Sequence, residues 1–395
     1  MKNINFFKGN FGISDVQYIK ETLKSGWLTS GPKTLLFEKK FKDTIKAKHA
    51  ISVNSCTSAL HLALKALNLK KGTKVIIPSW TFASTLEVVL YLGLKPILVD
   101  VDLKKKIITP EILINALNKN KNVGALIIVH FAGKSAQMYD RGKIKGINNI
   151  CKKKNIKIIE DCAHAFRTME GKKVVGNTSN ICCFSFYANK TLTTGEGGMI
   201  TTNSKKIAEK VKILRQHGMS RNIWNRYTNK SNQWEYDIID LGYKYNLPDI
   251  NSSIGLSQLK TFKKNQYRRS LIAKHYYSKL KNISEIILPE INKKELKNNS
   301  WHIFSISISN FKIKQRDKLI EKLYKCGIST SVHYKPLHLM SYYKKELNLK
   351  LSNFPNSNKL WETTISLPIY DQLKKSEINY ICKMLIKFIK YDQSI

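Results

Sequence analysis

Lys190 stands in "FSFYANKTLTTGEGGMI", residues 184–200, between a strand-like run and a glycine-rich turn. In a lysine-rich chain it is either one more solvated amine or a lysine held as a nucleophile. Asp161 closes the apolar run "IIEDCAHA" as half of an acidic pair with Glu160. A carboxylate at the end of a buried strand needs a partner, which here is either a structural salt bridge or a cationic ligand. The polar cluster Asn54–Ser55–Cys56–Thr57–Ser58 opens directly into the amphipathic "ALHLALKAL". An N-cap needs one such residue, whereas a run of hydroxyls beside the free N–H groups of a helix terminus also suits a phosphate. Ser185 lies on the strand before Lys190, where its hydroxyl is another phosphate donor. Phe82 follows the run "KVIIPS" and is either a core aromatic or the cover of a flat ring.

The surrounding pattern tells how these residues meet. Short β-rich runs occupy residues 74–79, 95–102, 125–131, 156–163, 181–187 and 198–203, with helical patterns such as 57–67 and 84–92 between them. Several runs are almost continuously apolar, which predicts strands buried on both faces of a mainly parallel sheet with helices above and below. Ligands of such α/β sheets gather at the carboxyl ends of the strands, so Asp161 and Lys190 are expected at one edge. After about residue 255 a long helical segment leads to a second unit: "WHIFSISI" (301–308), a helix near 315–326 and a closing helix near 376–390. The expected organisation is a large α/β domain over 1–255 and a smaller α+β domain over 256–395. Combined, a phosphate cradle, an aspartate for a ring nitrogen, an aromatic cover and a lysine for an aldehyde add up to pyridoxal 5′-phosphate (PLP).

Composition narrows the class. The formal charge is +40, but the excess is lysine scattered along the chain. Readers of bases and phosphates favour arginine forks, and no zinc-finger or RNP signature is present, so a nucleic-acid partner is not expected. The longest apolar stretch, "LEVVLYLGL", is about half a membrane span. The N-terminus lacks the apolar centre of a signal peptide, and the expectation is a cytoplasmic protein without membrane contact. Seven cysteines with no Cys-x-x-Cys pair fit free thiols and no metal site. No Gly-x-Gly-x-x-Gly follows a strand, which argues against a dinucleotide oxidoreductase.

Along nearly its whole length the chain resembles the DegT/DnrJ/StrS family of sugar-nucleotide aminotransferases. The resemblance is carried by "SGWLTSGP" (25–32), "NSCTSALHLAL" (54–64), "PSWTFASTLEVVLYLGLKPILVDVD" (78–102), "IIEDCAHA", "FSFYANKTLTTGEGGMI", "GYKYNLPDINSSIGLSQL" (242–259) and "GISTSVHYKPLH" (327–338). It implies an aspartate-aminotransferase-type fold (PLP fold type I) and a homodimer with shared active sites. Position by position it implies Lys190 as the Schiff-base lysine, Asp161 as partner of the pyridine nitrogen, and Thr57, Ser58 and Ser185 as phosphate ligands. It further implies Phe82 stacked on the ring and His164 near the phenolate oxygen. Lys244, or Asn246 in its place, would reach the phosphate across the dimer, and His333 and His338 would lie on the substrate side. "GYKYNL", "SWHIF" and the histidines of "VHYKPLH" are similar to the branch that aminates C4 of UDP-linked 4-keto sugars. The implied reaction takes an amino group from L-glutamate to a nucleotide-linked keto-sugar for polysaccharide biosynthesis. Amination at C3 of a dTDP- or GDP-linked sugar is the alternative. A same-fold dehydratase, which has a histidine in place of the lysine, or a regulator with an added DNA-binding domain, fits less well. Two departures stand out: Arg167 where glycine is usual, and a longer connection over 138–150, which leaves substrate contacts near that loop open.

Overall fold

The structure, a computed structural model, describes residues 3–220 and 235–392. Its centre is a seven-stranded sheet of β1 (His49–Val53), β2 (Lys74–Pro78), β3 (Lys95–Val99), β4 (Val123–Val129), β5 (Lys157–Asp161), β8 (Ile181–Ser185) and β9 (Gly198–Thr202). The minor hairpin β6 (Met169–Glu170) and β7 (Lys173–Val174) lies between β5 and β8 in the chain. The sheet order is β1-β9-β8-β5-β4-β2-β3. Neighbours β3, β2, β4, β5 and β8 pair in parallel, while β9 is antiparallel to both β8 and β1. Six strands therefore point one way and β9 the other. Every expected run holds a strand or most of one; five strands are shorter than their apolar stretch, and β4 is shifted two residues earlier than its run. Strand β1, absent from the sequence reading, is the added one.

Helices α1 (Ile13–Lys24), α2 (Pro32–Ile45), α3 (Cys56–Ala66), α4 (Ser84–Tyr91), α5 (Pro110–Lys119), α6 (Ile147–Lys153) and α7 (Lys205–Leu214) surround this sheet. Strand alternation sends side chains to opposite faces. Ile77, Ile127, Ile159 and Cys183 pack with α3, α4 and α7, while Ile76, Leu126, Ile128 and Ile158 pack with α5 and α6. Both faces are therefore covered, as the continuous apolar runs require. Local signals set the helix starts. Ser55, Thr109 and Ser204 cap α3, α5 and α7 by accepting a backbone N–H three residues on.

Helix α8 (Asp249–Leu280) runs unbroken through the expected division at residue 255. Its later turns pack on the antiparallel sheet β10 (Ile286–Ile287), β11 (Phe304–Ile308), β12 (Thr364–Leu367). Ile4 joins that second core and bridges Ile328, whereas Leu337 and Tyr343 pack back on the large sheet's core. The chain thus crosses between the two cores more than once, and no single position separates them. The expected division at residue 255 therefore falls inside α8 rather than at its start.

The two sequence departures have local explanations. Arg167 adopts φ +61, the left-handed region that glycine enters freely and other residues enter at a cost. Its guanidinium offsets that cost by donating to the Thr44 carbonyl at 2.8 Å and stacking over Phe262. In the 138–150 connection, Asp140 accepts from Gly146 N–H and Asn149, and Glu170 accepts from the Met138 and Tyr139 amides. None of its residues lines the cavity described next.

Candidate active site

Five connections leave the carboxyl ends of parallel strands at one edge: β1 to α3, β2 to α4, the segment after β4, the turn after β5 and the loop after β8. They enclose a cavity of about 360 Å³ lined by, among others, Ser55, Thr57, Phe82, Asp161, His164 and Lys190. Ser185 and His333 also line it, so seven of the expected residues share one space.

The acidic pair divides its work. Glu160 turns into the protein with no exposure. It accepts from His130 Nε2 at 2.9 Å, Thr178 Oγ1 at 2.8 Å and Asn180 Nδ2 at 2.6 Å. Burial alone would raise its pKa, but these bonds hold the carboxyl below its usual range. Asp161, one residue on, turns to the cavity. It accepts from Ala163 N–H at 3.1 Å and Thr85 Oγ1 at 3.2 Å. Burial raises its pKa, opposed by the Ala163 bond and the nearby Lys190 charge. It is a carboxylate short of cationic partners.

Lys190 is placed by its own N–H, which donates to Tyr187 O at 2.9 Å. Its Nζ lies 3.4 Å from His302 Nε2. Burial brings the amine down to about 8, against the pull of Cys56 and Asp161. At neutral pH about a tenth is then free base, the form a nucleophile needs and far more than an ordinary lysine supplies.

On the same cavity, the α3 terminus offers backbone N–H groups and the Thr57 hydroxyl, and Ser185 lines it too. Close approach of β9 to this terminus needs Gly198, since a Cβ there would sit 2.5 Å from the Ser55 carbonyl oxygen. Ser58 departs from expectation. Its Oγ is 2.6 Å from Asn54 Oδ1 and 2.9 Å from Ser55 Oγ, buried in the cap rather than on the cavity wall. Phe82 is 58% exposed, which removes the core reading and makes it a wall of the cavity.

His164 accepts the Ala132 N–H at Nδ1 (3.2 Å). Its remaining proton therefore sits on Nε2 and is donated to Tyr334 Oη at 2.8 Å. The Tyr334 hydroxyl keeps its own proton for a third partner. Burial and the Lys190 charge hold His164 well below the ordinary histidine range, so it stays neutral. His333 bonds Ser366 Oγ at 2.9 Å and stacks on Phe6; burial brings it down to about 4.

Besides Ser58, three expected site residues lie elsewhere. His338 is fully buried, bonded to Asn358 at 2.8 Å and stacked on Phe354, so it cannot touch a substrate. Asn246 is buried with its amide donating to Ser30 Oγ at 2.8 Å. Lys244 is exposed and away from this chain's cavity. Conversely, His302 and Tyr334 line the cavity although neither was singled out; both sit inside motifs that carried the resemblance, "SWHIF" and "VHY".

The residues present suit PLP: a buried carboxylate lacking a cation, an amine with lowered pKa, an exposed aromatic wall and a helix terminus with hydroxyls. The profile of the DegT/DnrJ/EryC1/StrS aminotransferase family matches residues 12–386. The chain belongs to that family. It is 41% identical over 384 residues to the uncharacterized protein MJ1066 of Methanocaldococcus jannaschii, covering 97% of each chain. It is 35% identical over 381 residues to the spore coat polysaccharide biosynthesis protein SpsC of Bacillus subtilis, covering 96% of this chain and 95% of the relative. Among solved structures, the putative sugar aminotransferase Spr1654 of Streptococcus pneumoniae in its PMP form superposes with TM-score 0.88 at 29% identity, covering 98% and 100% of the two chains. The protein is thus a PLP-dependent sugar aminotransferase of fold type I. No helix among its described residues is long and apolar enough to cross a membrane.

Proposed function

We propose that this aminotransferase moves the amino group of L-glutamate to C4 of a UDP-linked 4-keto-6-deoxyhexose in polysaccharide biosynthesis, acting as a homodimer with shared sites. The observation that carries the reading is the meeting of Lys190 and Asp161 in one cavity that the α3 terminus also lines. When bound, the cofactor supplies an aldehyde that takes up amines and a ring that accepts electrons. Lys190 would hold that group covalently and move protons beside it as general acid and base. The Asp161 carboxylate would hold the ring nitrogen's proton, gaining the cation its buried position lacks. Thr57, Ser185 and the α3 amides would hold the phosphate, Ser58 acting only by shaping the cap. Phe82 would cover the ring, and His164 would position the Tyr334 hydroxyl at the reacting edge. His333 faces the same space and suits a sugar contact. Lys244 has the solvent-facing side chain that a contact to the partner subunit's phosphate needs, whereas Asn246 is committed to Ser30.

The C4 position and the UDP group rest on the resemblance of "GYKYNL", "SWHIF" and "VHYKPLH". SpsC, by its name a polysaccharide biosynthesis protein, supports the pathway class. The test incubates the enzyme and glutamate with a panel of nucleotide-linked keto-sugars, reading 2-oxoglutarate and the site of nitrogen by NMR. Nitrogen at C4 of a UDP sugar is expected. Nitrogen at C3, or preference for a dTDP or GDP sugar, overturns the substrate assignment.

A further inference from the structure

Lys190 Nζ has one hydrogen-bonding side chain in reach among the described residues, and it is an imidazole rather than a carboxylate. Asp161, a carboxylate whose charge acts on the lysine, spends its oxygens on Ala163 N–H and Thr85. The imidazole belongs to His302, 7% exposed, whose Nδ1 has no partner among the described residues.

The backbone that presents His302 is held from several sides. Trp301, at φ +51, donates its N–H to Asn299 Oδ1 at 2.7 Å and its indole N–H to Leu296 O at 3.2 Å. Arg269, from α8, donates to the carbonyls of Trp301 and Ile369. The imidazole then packs against the His164 ring, centroids 4.6 Å apart. Its electrostatic neighbours are Lys190, His164, Arg269 and His333, none of them an acid. A second proton on His302 is opposed from every side, so the ring stays neutral with one acceptor nitrogen. An ammonium can only donate, so the nitrogen facing Lys190, Nε2, is that acceptor whenever the lysine is charged. His130 shows what a structural histidine does here: Nδ1 accepts from Ala136 N–H and Nε2 donates to Glu160. His61 and His338 also leave one ring nitrogen unpaired, but neither lines the cavity.

We propose that His302 is the positioning residue of Lys190: its neutral Nε2 accepts from Nζ and fixes the amine over the cavity. This rests on the reading of Lys190 as the cofactor's lysine. A flexible four-carbon side chain must return to one place whenever its amine is free. A carboxylate in that role would lock it as ammonium, whereas a neutral acceptor holds both amine and ammonium.

The test titrates Lys190 in the full-length, cofactor-free protein by trace acetylation across neutral and alkaline pH, read by peptide mass. His302→Leu is expected to lower the midpoint by about one pH unit, the size of a lost hydrogen bond to a charged group. His302→Gln, which retains an acceptor, is expected to restore most of that shift. A leucine variant that titrates with the wild type, or a glutamine variant that follows the leucine one, overturns the proposal. If the variants misfold, ¹⁵N NMR of the histidines in Lys190→Met gives the answer. The His302 Nε2 resonance is expected to move, and an unchanged resonance overturns the proposal. Borohydride mapping of the holoenzyme separates the two failures. A pyridoxyl mass on another lysine sinks the proposed role of Lys190, whereas a mass on Lys190 with an unaltered titration sinks only the role of His302.

Discussion

Lys106 makes the sharpest physical test of this structure. It lies beyond β3, 8% exposed, and its Nζ donates to Ser305 Oγ on β11 at 2.9 Å, joining the two sheets' cores. Burial lowers its pKa from 10.5 to about 7, with no other cause. Between those values the unfolded chain binds a proton that the native protein does not, so stability rises with pH across that window. Below pH 7 the native lysine is charged too, and the full cost is present. With a free energy of about 1.4 kcal/mol per pKa unit, the penalty is about 4 kcal/mol at pH 7 and about 2 kcal/mol at pH 9. Lys106→Met keeps the side-chain length and removes the titration. The wild type should therefore gain about 2 kcal/mol more than the variant on going from pH 7 to pH 9. Urea unfolding at both pH values, at one protein concentration, measures this double difference. It cancels the lost Ser305 bond and every other titrating group common to both proteins. Parallel profiles, within about 0.5 kcal/mol, would show that the ammonium is solvated or paired in the native state and would refute the argument.

Two further outcomes bear on the site. Asp161→Asn should keep the fold but lose about a thousandfold in kcat. The reason is that about 4 kcal/mol of attraction between opposite charges about 4 Å apart in a partly screened site disappears; turnover within tenfold of wild type in a folded, PLP-loaded variant would mean another group holds the ring. Lys190→Ala and Lys244→Ala proteins should each be impaired, yet regain activity when mixed, since a mixed dimer has one site with neither defect; confirmed subunit exchange with no recovery would show that Lys244 does not act across the interface.

Much of this protein was legible in one dimension. Strands buried on both faces leave near-continuous apolar runs; "KVIIPS", "IKIIEDCA" and "ICCFSFY" each contain one, and "ALIIVHF" holds most of another. Covalent neighbours within a motif also travel together, so Asp161 at a strand end and Lys190 after the next strand fell at one edge once the sheet was parallel. Other features depended on distant partners. Strand β1 is held by β9 and packed by α2 and α3, and "HAISV" by itself is too short to declare its pairing. The fates of Glu160 and Asp161 differ because three side chains, His130, Thr178 and Asn180, converge on Glu160, whereas Asp161 has one, Thr85, beside the Ala163 N–H. His338 and His333 are five residues apart in the same motif. A turn of chain between them buries the first against Phe354 and opens the second to the cavity. His302 meets Lys190 only because α8 carries the chain to the second sheet and back, 112 residues along the sequence. Residue types and short spacings determine which chemistry is available. Long-range packing decides which of several equivalent side chains performs it, because burial and hydrogen-bond partners are properties of the folded surroundings.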